Sequence, residues 1–100
     1  MHVLQLGTSA TAREAPQLLQ AARDAAASAA HVTVDCAGTE RCDVAGLQVL
    51  LALRDDVSGR GGELRVINVA APLHRRFKLV GLAYQAATVG TPSGSPSTQP

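Results

Sequence analysis

A chain of 100 residues with a formal net charge of +1 has the size of one modest domain, which excludes a multi-domain machine and supplies no global drive toward nucleic acid or a membrane surface. Apolar residues make up 46% of it, enough for a core, yet 18 are alanine, one is phenylalanine, one is tyrosine and none is tryptophan. A core of Leu, Val and Ala at close spacing is expected, which argues against an aromatic-lined cofactor pocket and against a stacking platform for single-stranded nucleic acid.

Val3, Leu4 and Leu6 predict a short first strand ended near Gly7, and Thr8 to Ala12 a brief second strand or a turn. A helix is expected over about 13–30, where Ala15, Leu18, Leu19, Ala22, Ala26 and Ala29 fall at helical spacing. Its two start signals compete. Thr11 with Glu14 reads as a capping box, whereas Pro16 is tolerated only in a first turn, so the regular helix should start near Arg13 to Ala15. The β-branched run His31-Val32-Thr33-Val34-Asp35 reads as a central strand ending in an acid. Asp43 is a good N-cap for a helix over about 44–58, which the turn Ser58-Gly59-Arg60-Gly61-Gly62 ends. Leu64 to Val69 predicts the next strand. Pro72 opens a short helix with Leu73, Phe77 and Val80 on one face and Gly81 as its stop, and Leu82 to Val89 ends in a last short strand. Residues Gly90 to Pro100 mix Gly, Ser, Thr and Pro without a large apolar side chain, so a domain over 1–89 followed by a disordered tail over 90–100 is expected. There is no internal repeat. Strands alternating with helices imply an α/β fold, with a mixed, mostly parallel sheet of four to five strands covered by about three helices through right-handed crossovers.

No apolar run reaches the ~20 residues of a spanning helix, and Met1-His2-Val3-Leu4-Gln5 lacks the basic-then-apolar pattern of a secretion leader. A cytoplasmic domain is expected, with no nucleic-acid partner and no direct membrane insertion. Cys36 and Cys42, spaced C-x5-C without a second pair, read as reduced thiols rather than as a zinc site or a disulfide framework.

The informative segment runs from Val32 to Leu51: a strand ends in Asp35, a loop spans Cys36 to Asp43, and a helix starts at Asp43. In open α/β sheets, ligands and partners meet the carboxyl ends of strands and the amino ends of helices. Val44, Ala45, Leu47, Val49, Leu50, Leu51, Ala52 and Leu53 cover nearly the whole circumference of this helix, where a surface helix usually keeps a polar stripe. The excess reads as an apolar patch offered to a partner protein, the alternative being a helix sandwiched inside the domain.

Two enzyme readings fare worse. Cys36 between strand and helix has the place of a phosphatase or sulfurtransferase nucleophile, but Arg41 follows after four residues rather than five, Gly38 is the loop's only glycine, and Glu40 and Asp43 would repel an anion. Asp35 and Asp43 as an acid/base pair or a magnesium site lack an accompanying nucleophile, His or Lys, and read instead as a turn residue and a helix cap. His2 and His31 have no ligand partner at useful spacing. No catalytic residue, metal site or cofactor is expected. His74, Arg75, Arg76 and Lys78 form the chain's basic cluster, a contact for an acidic partner or phospholipid headgroups, or simply a solvated helix face.

The strand ending in Asp35, the run Asp43-Val44-Ala45-Gly46-Leu47, the apolar helix after it, the Gly59-Arg60-Gly61-Gly62 turn and the closing Leu73 to Leu82 segment together resemble the STAS family, the sulfate-transporter and anti-sigma-factor-antagonist domains. The resemblance spans Val3 to Val89. It implies a non-catalytic protein-interaction module. Anti-sigma-factor antagonists are phosphorylated on a serine immediately before the signature glycine; here that position is Ala45, and the preceding Val44 also lacks a hydroxyl. The resemblance therefore implies an antagonist-like regulator without the usual switch, docking on an anti-sigma-factor or kinase-like protein. A second branch sits beside the ATPase of phospholipid ABC transporters and carries Asp-Thr-Ala-Gly-Leu, which Asp43 to Leu47 matches at four positions of five. The expected docking residues are Asp43, Val44, Ala45, Gly46, Leu47, Leu50 and Leu51, with weak homodimerisation through the same helix as a competitor.

Overall fold

The computed structural model describes residues 2–87; the predicted tail and the end of the predicted last strand lie outside them. Three parallel strands, β1 (His2–Gln5), β3 (His31–Asp35) and β5 (Glu63–Ile67), form the main sheet in the order β1-β3-β5. In this register Leu4 lies beside Val34, and Val34 beside Val66. All three are buried, while the alternate residues Val3 and Arg65, which flank Thr33, are exposed. The strand order advances in one direction, so right-handed crossovers put both connecting helices on the same face. Helices α1 (Ala15–Ser28) and α2 (Val44–Gly59) pack there side by side. The alanine side of α1, Ala22, Ala25 and Ala26, is fully buried; so thin a side-chain layer lets the helix sit close to its support.

Both start signals of α1 prove real. The Glu14 carboxylate accepts from the Thr11 N–H at 3.0 Å and from the hydroxyls of Thr11 at 2.6 Å and Ser9 at 3.0 Å. These bonds close a turn before the helix. Pro16 then falls in the first turn, where no intrahelical N–H is needed. The three hydroxyl and amide donors hold the Glu14 carboxyl at about 2, well below its ordinary 4.5.

Two predicted boundaries are corrected. The stretch Cys36 to Asp43, expected as a loop, contains a strand, β4 (Arg41–Cys42), paired in parallel with β2 (Ser9–Ala10). Backbone N–H groups of Glu40 and Arg41 donate to the Thr8 carbonyl, and that of Asp43 to the Ala10 carbonyl. The strand expected to run to Val69 stops at Ile67, because Asn68 takes a positive φ of 60°. The last predicted strand reduces, among the described residues, to a single parallel bridge between Val69 and Ala86.

A 3-10 turn (Ala71–Leu73) leads into α3 (His74–Leu79). Leu73 and Phe77 are buried, and Phe77 meets Tyr84 edge-on at 5.6 Å. Val80, expected on the same face, is 36% exposed. The helix has ended one residue earlier, and Leu82 folds back with its N–H on the Phe77 carbonyl to take the inner place.

Candidate functional site

The amino end of α2 is fixed from three sides. One Asp43 carboxylate oxygen accepts from the Gly46 N–H at 3.2 Å, capping the helix, and the other from the Ala12 N–H at 3.1 Å, tying the cap to the segment before α1. These amide donors, Ala12 first, hold the Asp43 carboxyl below its ordinary value. Gly46 is the third fixture. A Cβ there would stand 2.0 Å from the Ala10 carbonyl oxygen, so the β2 backbone passes where any side chain would be. The Asp-x-x-Gly spacing is thus the means by which β2 and α2 are held together.

On this frame the expected docking residues separate. Val44 is 65% exposed, and Ala45 and Asp43 are half-buried. Leu51 is half-buried against the core. Gly46, Leu47 and Leu50 are interior, the two leucines 2% and 0% exposed. Leu47 and Leu50 therefore cannot meet a partner without unfolding the helix. Their burial reflects two internal neighbours of α2: the sheet beneath and α1 beside it, where Val49 and Ala52 face Leu19. Most of the apolar excess in this helix is absorbed inside the domain.

The residues on either side of Val44 line two separate depressions. Ala45 lines one, a shallow apolar groove between α1 and α2 with Ala15, Pro16 and Leu19. Asp43 lines the other, of about 400 Å³, with Thr11, Glu40, Arg41 and Arg76.

The chemical candidates are committed elsewhere. Cys36 and Cys42 are buried, and desolvation pushes their thiols up to about 12 and about 11, the reverse of what a thiolate nucleophile requires. Asp35 accepts from the Asn68 side-chain amide and the Ala37 N–H, both at 2.9 Å, and these donors, Asn68 first, lower its pKa. Asp35 and Asp43 each join a local turn to a distant segment and share no hydrogen-bond partner. Thr39, the hydroxyl nearest the motif on its amino side, is 2% exposed and donates to the Gly7 carbonyl. Among the described residues no group of three or more His, Cys, Asp or Glu is arranged to hold a metal ion. No described helix is long and apolar enough to cross a membrane.

The basic cluster is split. His74 Nε2 lies 2.8 Å from the Val69 carbonyl, with its ring against Tyr84, and Arg76 donates to the Cys42 carbonyl at 2.9 Å, while Arg75 and Lys78 point outward. Sequence reasoning missed Asn68 and the Arg76 bond. The first had a signal, an Asn closing a β-branched strand, where a left-handed residue is tolerated; the second joins residues 34 positions apart and had none.

The profile of a family described as "Mlab, STAS domain" matches residues 1–86. No curated protein matches the chain.

Proposed function

The chain belongs to the STAS domain family, and from that premise we propose a protein-docking module that meets its partner through the first turn of α2 and carries no phosphorylation switch there. The observation that supports this most is the exposure of Val44 on a turn that Asp43 and Gly46 hold rigid. A preformed turn loses little conformational freedom on binding. The docking set is Asp43, Val44, Ala45 and the accessible part of Leu51. Full burial of one large apolar side chain such as Val44 contributes about 1.5–3 kcal/mol before association costs are subtracted.

The finer reading is an anti-sigma-factor-antagonist-like regulator. Ala45 stands where such proteins carry their phosphorylated serine, and Thr39 is tied down inside the domain. A second reading, an accessory subunit for the ATPase of a phospholipid-type ABC transporter, draws on one observation. Asp43 to Leu47 departs from Asp-Thr-Ala-Gly-Leu only at Val44, the most exposed side chain of the turn. Replacing the threonine hydroxyl by a methyl group there makes the contact more apolar and leaves the frame untouched.

Ala45→Glu tests the surface. The variant should keep its circular-dichroism melt and lose the partners that wild-type protein captures; full retention of those partners sinks the proposal. An ATPase among the captured proteins favours the transporter reading, and an anti-sigma-factor kinase the regulatory one. Sedimentation at several concentrations shows whether a second copy competes for the same turn.

A further inference from the structure

We propose that two copies of the chain pair through β1, edge to edge and antiparallel, so that their main sheets join into one. This pairing is independent of the docking proposed at the α2 turn. β1 is the outer strand of the order β1-β3-β5, and among the described residues it is paired on one side only. Leu6, just past it, donates its N–H to the Asp35 carbonyl of β3. Backbone groups alternate along a strand, so Leu4 also turns its own toward β3, while Val3 and Gln5 turn their N–H and C=O groups to the open edge.

The two edges of the sheet differ. At the β5 edge the chain covers itself: the Gln85 N–H donates to the Val66 carbonyl and the Ala87 N–H to the Val69 carbonyl, and β5 carries the charges of Glu63 and Arg65. Charged side chains, proline and overlying segments are the usual guards of an edge against a further strand. β1, with the sequence His2-Val3-Leu4-Gln5, has no proline, lysine, arginine or acid, and no described segment pairs with its outer side. Beside this edge lies a depression of about 220 Å³. Its lining comes from β1, the segment after it and α1, with nothing from β3 or α2, so it opens on the outer side of β1. Leu4, Leu6, Leu18 and Ala21 supply its apolar part. Glu14 is its one charged residue, and that carboxylate is held by Ser9 and Thr11.

The occupant that fits this edge is another β1. Outward N–H and C=O groups at a period of two select an extended chain. With Leu4 set opposite Leu4 of the second copy, Val3 faces that copy's Gln5 and Gln5 its Val3. Both are pairs that exchange two N–H···O bonds, so every outward group of the strand is satisfied. The two Leu4 side chains form the close, non-bonded pair between them, on the helix side of the sheet and beside both depressions. The strand brings no carboxylate, lysine or arginine against its own copy. Only four residues take part, a contact far smaller than a standard stable interface, so the dimer should form at high concentration and dissociate on dilution. α1 lies over β1 and α2 over β5, which leaves the α2 turn of each copy free.

Sedimentation from about 20 μM to about 1 mM, the range in which small contacts assemble, tests the pairing together with backbone-amide NMR over the same dilution. The mass should rise toward that of a dimer. Amide shifts on dilution should centre on residues 3–6, and a mixture of labelled and unlabelled chains should show contacts between the two Leu4 side chains. Val3 is 51% exposed; Val3→Lys should keep the melt of the dilute protein and raise the dissociation constant at least about tenfold, as a guard residue does. Val3→Pro, which removes an outward N–H, should act alike; if it unfolds the chain, Val3→Lys decides. A chain still monomeric at about 1 mM overturns the proposal. So does a dimer that Val3→Lys leaves intact, or one whose dilution shifts fall on residues 44–52. Slow hydrogen exchange at the Val3 and Gln5 amides of the monomer also overturns it, because another part of the same chain then covers the edge. Ala45→Glu should dimerise as wild type does. If that variant loses its captured partners while wild type stays monomeric, the α2 reading stands and the β1 pairing falls.

Discussion

In the first turn of α2, Val44 is 65% exposed and Ala45 half-buried; from the second turn on, Leu47, Val49, Leu50, Leu53 and Val57 are all at most 8% exposed. Both stretches are rich in apolar residues. What separates them is the company each keeps. The middle of α2 lies over the sheet with α1 alongside, so apolar residues on two sides of the helix find partners within the domain. At the first turn the β2–β4 ribbon and the segment before α1 reach the helix through backbone hydrogen bonds, and α1 borders it only across the shallow groove that Ala45 lines. An apolar helix in a small domain therefore need not be a surface patch, and the part that is one occupies a single turn.

Deleting packing from the middle of α2 should do the greatest damage. Leu50 is completely buried, and Leu50→Ala removes its transfer energy and leaves a cavity, a loss of about 4 kcal/mol. Urea unfolding measures it directly. A loss under about 1 kcal/mol would mean that the two-sided packing of the helix is illusory.

Gly46→Ala comes next, and acts at the border between the two stretches. The added methyl would sit 2.0 Å from the Ala10 carbonyl oxygen, so β2 or α2 must move. A loss of about 3 kcal/mol is expected, toward the upper end of ordinary overpacking. It should come with weaker amide protection at Ala10 and Asp43 in hydrogen exchange. Unchanged stability would show that the ribbon yields freely, and would remove the claim that the docking turn is rigid.

One fixture of the first turn, the Asp43 carboxylate, is electrostatic, so acid should loosen it before it loosens the core. Glu14, Asp35 and Asp43 all have pKa values lowered by hydrogen bonds to the ionised carboxylate. Below the ordinary values of 4.5 and 3.8 the unfolded chain takes up protons that the folded chain still refuses, so stability falls as pH falls through this range. For Glu14 the loss continues toward about pH 2. Urea midpoints across the range should decline, and Glu14→Gln should flatten the curve. These groups are accessible to solvent, which screens them, so the decline should be shallower than the effect of either substitution above.

The fold was largely legible because its signals are local and agree with one another. The β-branched run at Val32 to Val34, the Asp43 cap and the Pro72 start each name an element without reference to the rest of the chain. What escaped depends on distant backbone. The strand Arg41–Cys42 exists because residues 8–10 pass beside it, and two residues without a repeating pattern carry no periodicity to read. The fate of α2 escaped for the same reason. Periodicity reports how many faces of a helix are apolar, and only the placement of α1 decides which of them are covered. Asp43 and Gly46 were legible as a motif, yet their physical work, accepting from Ala12 and admitting the Ala10 carbonyl, is visible only once β2 is in place.

The smallest effect on stability should accompany the largest effect on function, at Ala45. Ala45→Asp puts a carboxylate into the first turn of α2, where the free N–H groups and the helix dipole favour negative charge. The side chain borders an open groove rather than the core, so nothing must be displaced. The change in stability should stay within about 0.5 kcal/mol. The same charge stands in for the phosphate that related regulators carry at this position, and it lies beside Val44, where the proposed contact is apolar. Captured partners should be lost although the fold is intact. A partner that binds Ala45→Asp as tightly as wild type must approach from another side of the domain. The contrast within α2 would then be one of packing alone, with no bearing on recognition.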